Sequence, residues 1–321
     1  MLNLKNRQIM KKLVRIMGLC ALVALAFGSC KKNETKTFKA STVELQSDSK
    51  TEIFHDFSGY HLYWTSGDEI TVFKNGTENL GETPRVFHAA LTEKDSHGNE
   101  IPCPTANFHV YNADGDFMSD LNVANSYTAY YPNVTCTANE VRIPISAEQH
   151  RVANGGLNFV TNTYPMLAKN DDHATFAFSS DAGVLALRFV KATSLGDEDH
   201  VYIDSVTITA YKPTDYLAGE MVYDRANGSY QCFDGTNGSI SICAVAQHDV
   251  EVTGDGVYWT FVLPKGALKD GFTMKAYWNG VEMVGNTGTN DSGVNEIQAQ
   301  YVLLMPDVAV DLPTPPTPTA P

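Results

Sequence analysis

An all-β chain of antiparallel sandwich or barrel type is what this sequence predicts, and three observations predict it. Short β-rich runs follow one another closely, with Gly, Pro, Asn and Asp between them. No window of ten or more residues after Cys30 carries an apolar period of 3.6. The composition of the 321 residues, 43% hydrophobic and 19% charged, is globular, which excludes a wholly disordered or fibrous chain. That length suits about two domains.

The N-terminus reads as an export signal. Five basic residues (Lys5, Arg7, Lys11, Lys12, Arg15) precede an apolar stretch over 16–27, which is too short to span a membrane stably. Gly28 and Ser29 then lead into Cys30, the small-residue arrangement of a bacterial lipobox. Residues 1–29 are expected to be a lipoprotein signal peptide and Cys30 the lipidated first residue of the mature chain. Residues 30–36 would be a polar tether to the outer membrane, and acyl chains are long enough to anchor it. Losing those five cations takes the formal charge from −14 to −19. So acidic a surface repels phosphate backbones and anionic lipid, which excludes nucleic acid as a partner.

Each strand has its own justification. Residues 37–44 alternate, with Phe38 and Ala40 on one face. The runs 69–73, 85–89, 107–111, 127–131 and 141–145 are β-branched or aromatic and bounded by turn residues. The runs 174–178, 184–190, 201–211, 217–223, 230–233, 240–245, 257–263, 272–278, 281–284 and 300–305 follow in the same style. In 201–211 the alternation loses one beat at Ser205, the mark of a bulge. A turn-rich stretch at 149–156 and a polar loop at 169–173 set a boundary, giving β-sandwiches over 37–163 and 164–312. Val308, Val310 and Leu312 alternate in a last short edge strand. The tail 313–321 has five prolines and cannot pair in a ladder.

Catalytic patterns are absent. There is no GxSxG, HExxH, phosphate loop, GxGxxG or CxxC, so the reading is of no enzyme, no cofactor and no metal. The oxygen-rich run 112–116 lacks an EF-hand's twelfth-position glutamate and reads as a solvated turn. Beyond Cys20 and Cys30, the cysteines are Cys103, Cys136, Cys232 and Cys243, which permit three disulfide connectivities or none. Cys232 and Cys243 flank two turn signals, Asp234-Gly235 and Asn237-Gly238, and would face each other across a hairpin as a disulfide. Trp64, Trp259 and Trp278 sit in apolar strand contexts and read as core, with an exposed sugar platform as the alternative.

Taken in order, these features resemble the fimbrillin family, the two-domain subunits of type V pili and their stand-alone relatives. The lipoprotein signal ends at Cys30 and the first strand follows. Trp64, then Gly67-Asp68, then a hydrophobic strand to Phe73 form the next match. Residues 127–132 resemble the family's aromatic-alanine-tyrosine-proline strand end, and 143–150 its proline-to-glutamine segment. Residues 164–168, Phe176, Phe178 and 184–189 are similar to the entry of its C-terminal domain, and 217–220 to a strand ending in glycine. Together they cover roughly 25–305. The residues themselves suggest that Tyr127, Tyr130 and Tyr131 bury their rings with hydroxyls at the surface, and that Pro132 ends the strand.

The resemblance implies two tandem transthyretin-like antiparallel β-sandwich domains. It also implies assembly by strand exchange: a protease removes the first strand and a neighbour's C-terminal strand fills the groove. Here 37–44 would be removed and Val308, Val310 and Leu312 would lie on the donor. No arginine lies between Cys30 and Arg85, so processing at Lys39 or Lys50 would need a specificity other than arginine. The implied role is a structural or adhesive surface lipoprotein, a subunit or a tip or anchor component of a fimbria. Its partners would be other fimbrial subunits and host or bacterial surface ligands or glycans. The alternative is a stand-alone glycan-binding surface lipoprotein.

Overall fold

A computed structural model describes residues 38–42, 52–56, 59–74, 85–111, 117–118, 127–134, 140–151, 163–170, 175–224, 229–232, 238–289 and 296–312. They contain strands and no helix. In chain order the first strands are β1 (Phe38–Thr42), β2 (Glu52–Asp56), β3 (Gly59–Tyr63), β4 (Glu69–Lys74), β5 (Arg85–Ala90) and β6 (Thr105–Tyr111). They are followed by β7 (Phe117–Met118), β8 (Tyr127–Tyr131), β9 (Glu140–Ile145), β10 (Glu148–His150), β11 (Met166–Asn170) and β12 (Thr175–Phe178). The longest strands come next: β13 (Ala182–Lys191), β14 (Tyr202–Ala210), β15 (Gly219–Asp224), β16 (Ser229–Cys232) and β17 (Ser241–Glu251). The last are β18 (Val257–Pro264), β19 (Gly271–Trp278), β20 (Val281–Thr289), β21 (Val302–Leu304) and β22 (Val308–Val310). The all-β reading holds, and residues 37–321 form one compact unit.

Among the described residues, five sheets build that unit. The largest runs β11-β8-β4-β5-β6-β1-β12, with β7 attached to β6. A second runs β10-β17-β14-β19-β20. A third has β13 at its centre, with β18 on one side and both β21 and β22 on the other. β16-β15-β9 and the hairpin β2-β3 complete the set. The expected bulge is real: β14 slips its register against β17 between Ile203 and Ser205.

Two hydrophobic cores form, and the third sheet serves both. Val184, Ala186, Val262 and Val302 point into the first core. Their neighbours Leu185, Leu187, Phe189, Phe261 and Leu263 point into the second. A strand covered on both faces needs apolar residues at odd and even positions alike, and 182–187 is buried without a break. The large sheet extends through β11 and β12, past the expected boundary at 163/164, and the chain passes between cores within β13. Two further strand groups cross over. β10 pairs in parallel with β17 of the second sheet, while β15 pairs with β9 and sends Met221 and Tyr223 into the first core.

The crossing at β10 depends on one side chain. Gln149 donates through Nε2 to the Val262 carbonyl at 2.9 Å and accepts from the Val262 N–H through Oε1, also at 2.9 Å. Its amide thus completes the backbone pairing of Val262 as a neighbouring strand would.

Candidate assembly site

β1 lies inside the large sheet rather than at its edge. It runs antiparallel to β6 and parallel to β12. Phe38 stands opposite Phe108, and Ala40 is opposite both Ala106 and Phe176. Thr42 is opposite Phe178. Those four partners are at most 2% exposed. The intervening positions, Lys39 and Ser41, oppose Asn107, Thr175, Thr105 and Ala177, none of which is buried. The slot therefore alternates apolar and polar register positions, as a half-buried strand requires. β12 ends the sheet, and β1 is its neighbour in the ladder.

Trp64 forms the floor of this slot. Its ring meets Phe108 edge-on at 5.0 Å and Phe178 at 5.3 Å, the two aromatics opposite the ends of β1. It also meets Tyr131 at 5.3 Å. The sequence folds this way locally because Gly67 takes φ +100°, open to glycine, so the chain turns before β4. That turn brings Asp68 back onto Thr65, whose N–H and hydroxyl donate to Asp68 Oδ2 at 2.7 and 3.1 Å. Tyr131 donates to Asp68 Oδ1 at 2.7 Å. Its hydroxyl is therefore used inside the core, not at the surface as expected, because a fully buried carboxylate needs donors.

The C-terminal strand is docked on its own chain. β22 runs parallel to β13, pairing Val308 with Phe189 and Val310 with Lys191. Val310 is fully buried, Val308 is partly buried, and Leu312 is 44% exposed. The Ala192 N–H donates to the Val310 carbonyl at 2.9 Å, and Ser194 donates to Asp311 at 3.1 Å. Arg188 pairs with Asp307 at 2.8 Å. Beside the strand, Val308, Ala309, Met305, Leu187, Phe272 and Met274 line an apolar cleft of about 410 Å³. The docked segment is thus held over three residues, incompletely packed on one flank.

Other expected site residues are placed as follows. Cys30, Lys50, Cys136 and the 112–116 run lie outside the described residues. Lys39 is paired on both sides within β1. The hairpin expected to join Cys232 to Cys243 does not form, because β16 pairs with β15 while β17 pairs with β14 and β10. Cys243 is a free thiol, as is the buried Cys103. Each flanking strand finds its ladder in a different sheet, and the turn residues 233–237 lie outside the described residues.

Trp64 and Trp259 are core residues. Trp278 is partly exposed: its ring lies 5.3 Å from Tyr202, which stacks at 6.4 Å on His200, and its Nε1 donates to Asp249 at 3.0 Å. Among the described residues no three of His, Cys, Asp and Glu converge to hold a metal. No sequence signal marks the roles of Gln149 and Arg188: Gln149 opens a turn-rich stretch, and Arg188 is a lone charge within the apolar run 184–190.

No family model matches the chain, and no curated protein matches it. Solved structures do. A "putative cell adhesion protein" from Bacteroides ovatus ATCC 8483 is 12% identical, with a TM-score of 0.51 over 86% of this chain and 95% of that one. Another so described, from Bacteroides uniformis ATCC 8492, is 15% identical, with a TM-score of 0.49 over 88% and 96%. A fimbrial protein from Bacteroides vulgatus ATCC 8482 is 9% identical, with a TM-score of 0.35 over 86% and 98%. The first of these shares the fold.

Proposed function

We propose that this chain is a surface lipoprotein of the fimbrillin type, a fimbrial subunit or a tip or anchor component that associates by strand exchange and acts through its surfaces rather than by catalysis. The observation that carries this reading is the place of β1 between β6 and β12. Removing a strand from inside a sheet exposes two ladder edges and an apolar floor at once, which only another strand satisfies. The likeness in fold to the Bacteroides ovatus protein described as a "putative cell adhesion protein" accords with it.

Length and pattern nominate the donor. β1 spans five residues, and Val308 to Leu312 is a run of five bounded by Pro306 and Pro313. Val308, Val310 and Leu312 would take the register positions of Phe38, Ala40 and Thr42. Processing belongs at Lys50 rather than Lys39: a cut within β1 would leave Ala40–Thr42 in the slot, whereas a cut beyond its end frees the whole strand. Cys30 would carry the lipid of the precursor.

The test is to build a specific protease site into residues 46–50, cleave the purified chain and run it in detergent with and without boiling. A ladder that collapses on boiling is expected. A cleaved chain that stays monomeric, or an uncut chain that gives the same ladder, defeats strand exchange.

One observation favours a second reading, a stand-alone glycan binder: the ring series His200, Tyr202 and Trp278 beside Asp249. Saturable polysaccharide binding that Trp278→Ala abolishes would select it. A silent glycan panel would remove it.

A further inference from the structure

The loop that carries the chain from the second core back to the first has at its centre a partly buried acid, Asp215. β14 belongs to the second core and β15 packs on the first, so residues 211–218 are the crossover. At its far end Leu217 and Ala218 are buried, and the Leu217 N–H donates to the Ser239 carbonyl at 2.7 Å. At its near end the loop rests on the turn after β18. The Tyr211 N–H donates to the Gly271 carbonyl at 3.0 Å, and Lys212 pairs with Asp270 at 2.6 Å. Between these points Asp215 accepts from the Leu268 N–H, while its Oδ2 is buried and has no hydrogen-bond partner among the described residues.

An ionised carboxylate oxygen in that position is costly, and a protonated one much less so. The charges around it do not compensate. Asp270 and Glu296 oppose ionisation and Lys269 favours it, while Lys212 is engaged by Asp270. Glu296 is fixed nearby because Ile297 exchanges backbone bonds with Gly266 and Ala267 of the same turn.

We propose that the crossover loop 211–218 is a pH-responsive latch, held to the 264–271 turn while Asp215 is protonated and loosened when it ionises. Burial, reinforced by Asp270 and Glu296, pushes the Asp215 carboxyl up to about 6. A folded value above the unfolded one means that the stabilisation is full below the ordinary carboxylate range and is lost as pH rises through about 6. The latch is therefore closed in mildly acidic surroundings and loose at neutral pH. What it governs is how firmly β15 stays lodged against the first core.

The test is amide hydrogen exchange across 211–224 in the full chain, corrected for intrinsic rates, from about pH 4.5 to about pH 7.5. Protection should fall roughly tenfold through the step, a factor reduced from the full linkage value because the site is half open to solvent. Asp215→Asn keeps an acceptor for Leu268 and should erase the step. Glu296→Gln removes one opposing charge and should move the step to lower pH. A flat wild-type profile, or a step that survives Asp215→Asn, overturns the proposal. If Asp215→Asn does not fold, an unmoved step in Glu296→Gln overturns it instead.

Discussion

Tyr131 and Asp68, 63 positions apart, meet through a 2.7 Å hydrogen bond in a core where neither residue has measurable exposure. The bond ties the end of β8 to the turn before β4 and so fixes Trp64 between them. An aromatic strand end and a glycine-aspartate turn, which look like two separate motifs, are one structural unit.

Tyr131→Phe should therefore cost about 1.5–3 kcal/mol, the range for a hydrogen bond to a charged group. Urea unfolding measures it, with Tyr211→Phe, 57% exposed, as a control that should leave stability unchanged. A Tyr131→Phe curve that overlays the wild type would mean that the ring alone matters.

Gln149 offers a sharper test, because its two bonds to Val262 have opposite polarity. Gln149→Ala should cost about 2–3 kcal/mol by leaving the backbone of Val262 unpaired in the interior. Gln149→Glu keeps the acceptor but turns the donor into a second oxygen facing a carbonyl. Its carboxyl should be raised in the fold, so this variant loses stability as pH rises and approaches the wild type near pH 4. Melting curves at several pH values check the sign.

Gly183 sits where the chain can carry no side chain. A Cβ there would fall on the Gln298 carbonyl and 2.7 Å from Ile297 Cγ2. Gly183→Ala should cost about 1–3 kcal/mol by pushing 297–301 away from β13. Because β21 follows that segment, protease sensitivity near the C-terminus should rise with it.

Arg188 holds Asp307 and the Asp255 carbonyl while its guanidinium lies 5.9 Å over the Tyr258 ring. Arg188→Met should lower the melting temperature by no more than ~3 °C, since the pair is largely solvated. Exchange of the amides over 302–310 should nevertheless quicken several-fold. Unchanged exchange would show that β22 is retained by its ladder to β13 and the Ser194–Asp311 bond without help from Arg188.

Much of this was legible in the chain. The run 127–131 matches β8 at both ends because Pro132 and the aromatic pattern bound it without ambiguity. The lost beat at Ser205 marks a true register shift. The unbroken apolar run over 182–187 is the trace of a strand buried on both faces. β10 was invisible, since Gln149 is its buried residue and replaces a backbone partner rather than filling apolar space. The β9–β15 pairing joins distant segments, as the Arg142–Glu220 bond of 2.8 Å between residues 78 positions apart shows, and no local period encodes it. The slot around β1 could be named from the resemblance, but its floor could not, because Trp64, Phe108 and Phe178 converge from three distant runs.

The sheet of β13 and β18 is a party wall between two rooms. The first room does not stand with the wall removed, so a split at 163/164, which leaves the wall and the whole second core in the C-terminal fragment, should unfold the N-terminal fragment. Heating should melt both cores in one transition, with calorimetric and van't Hoff enthalpies in agreement. A load on either core is therefore felt by the other through the strands they share.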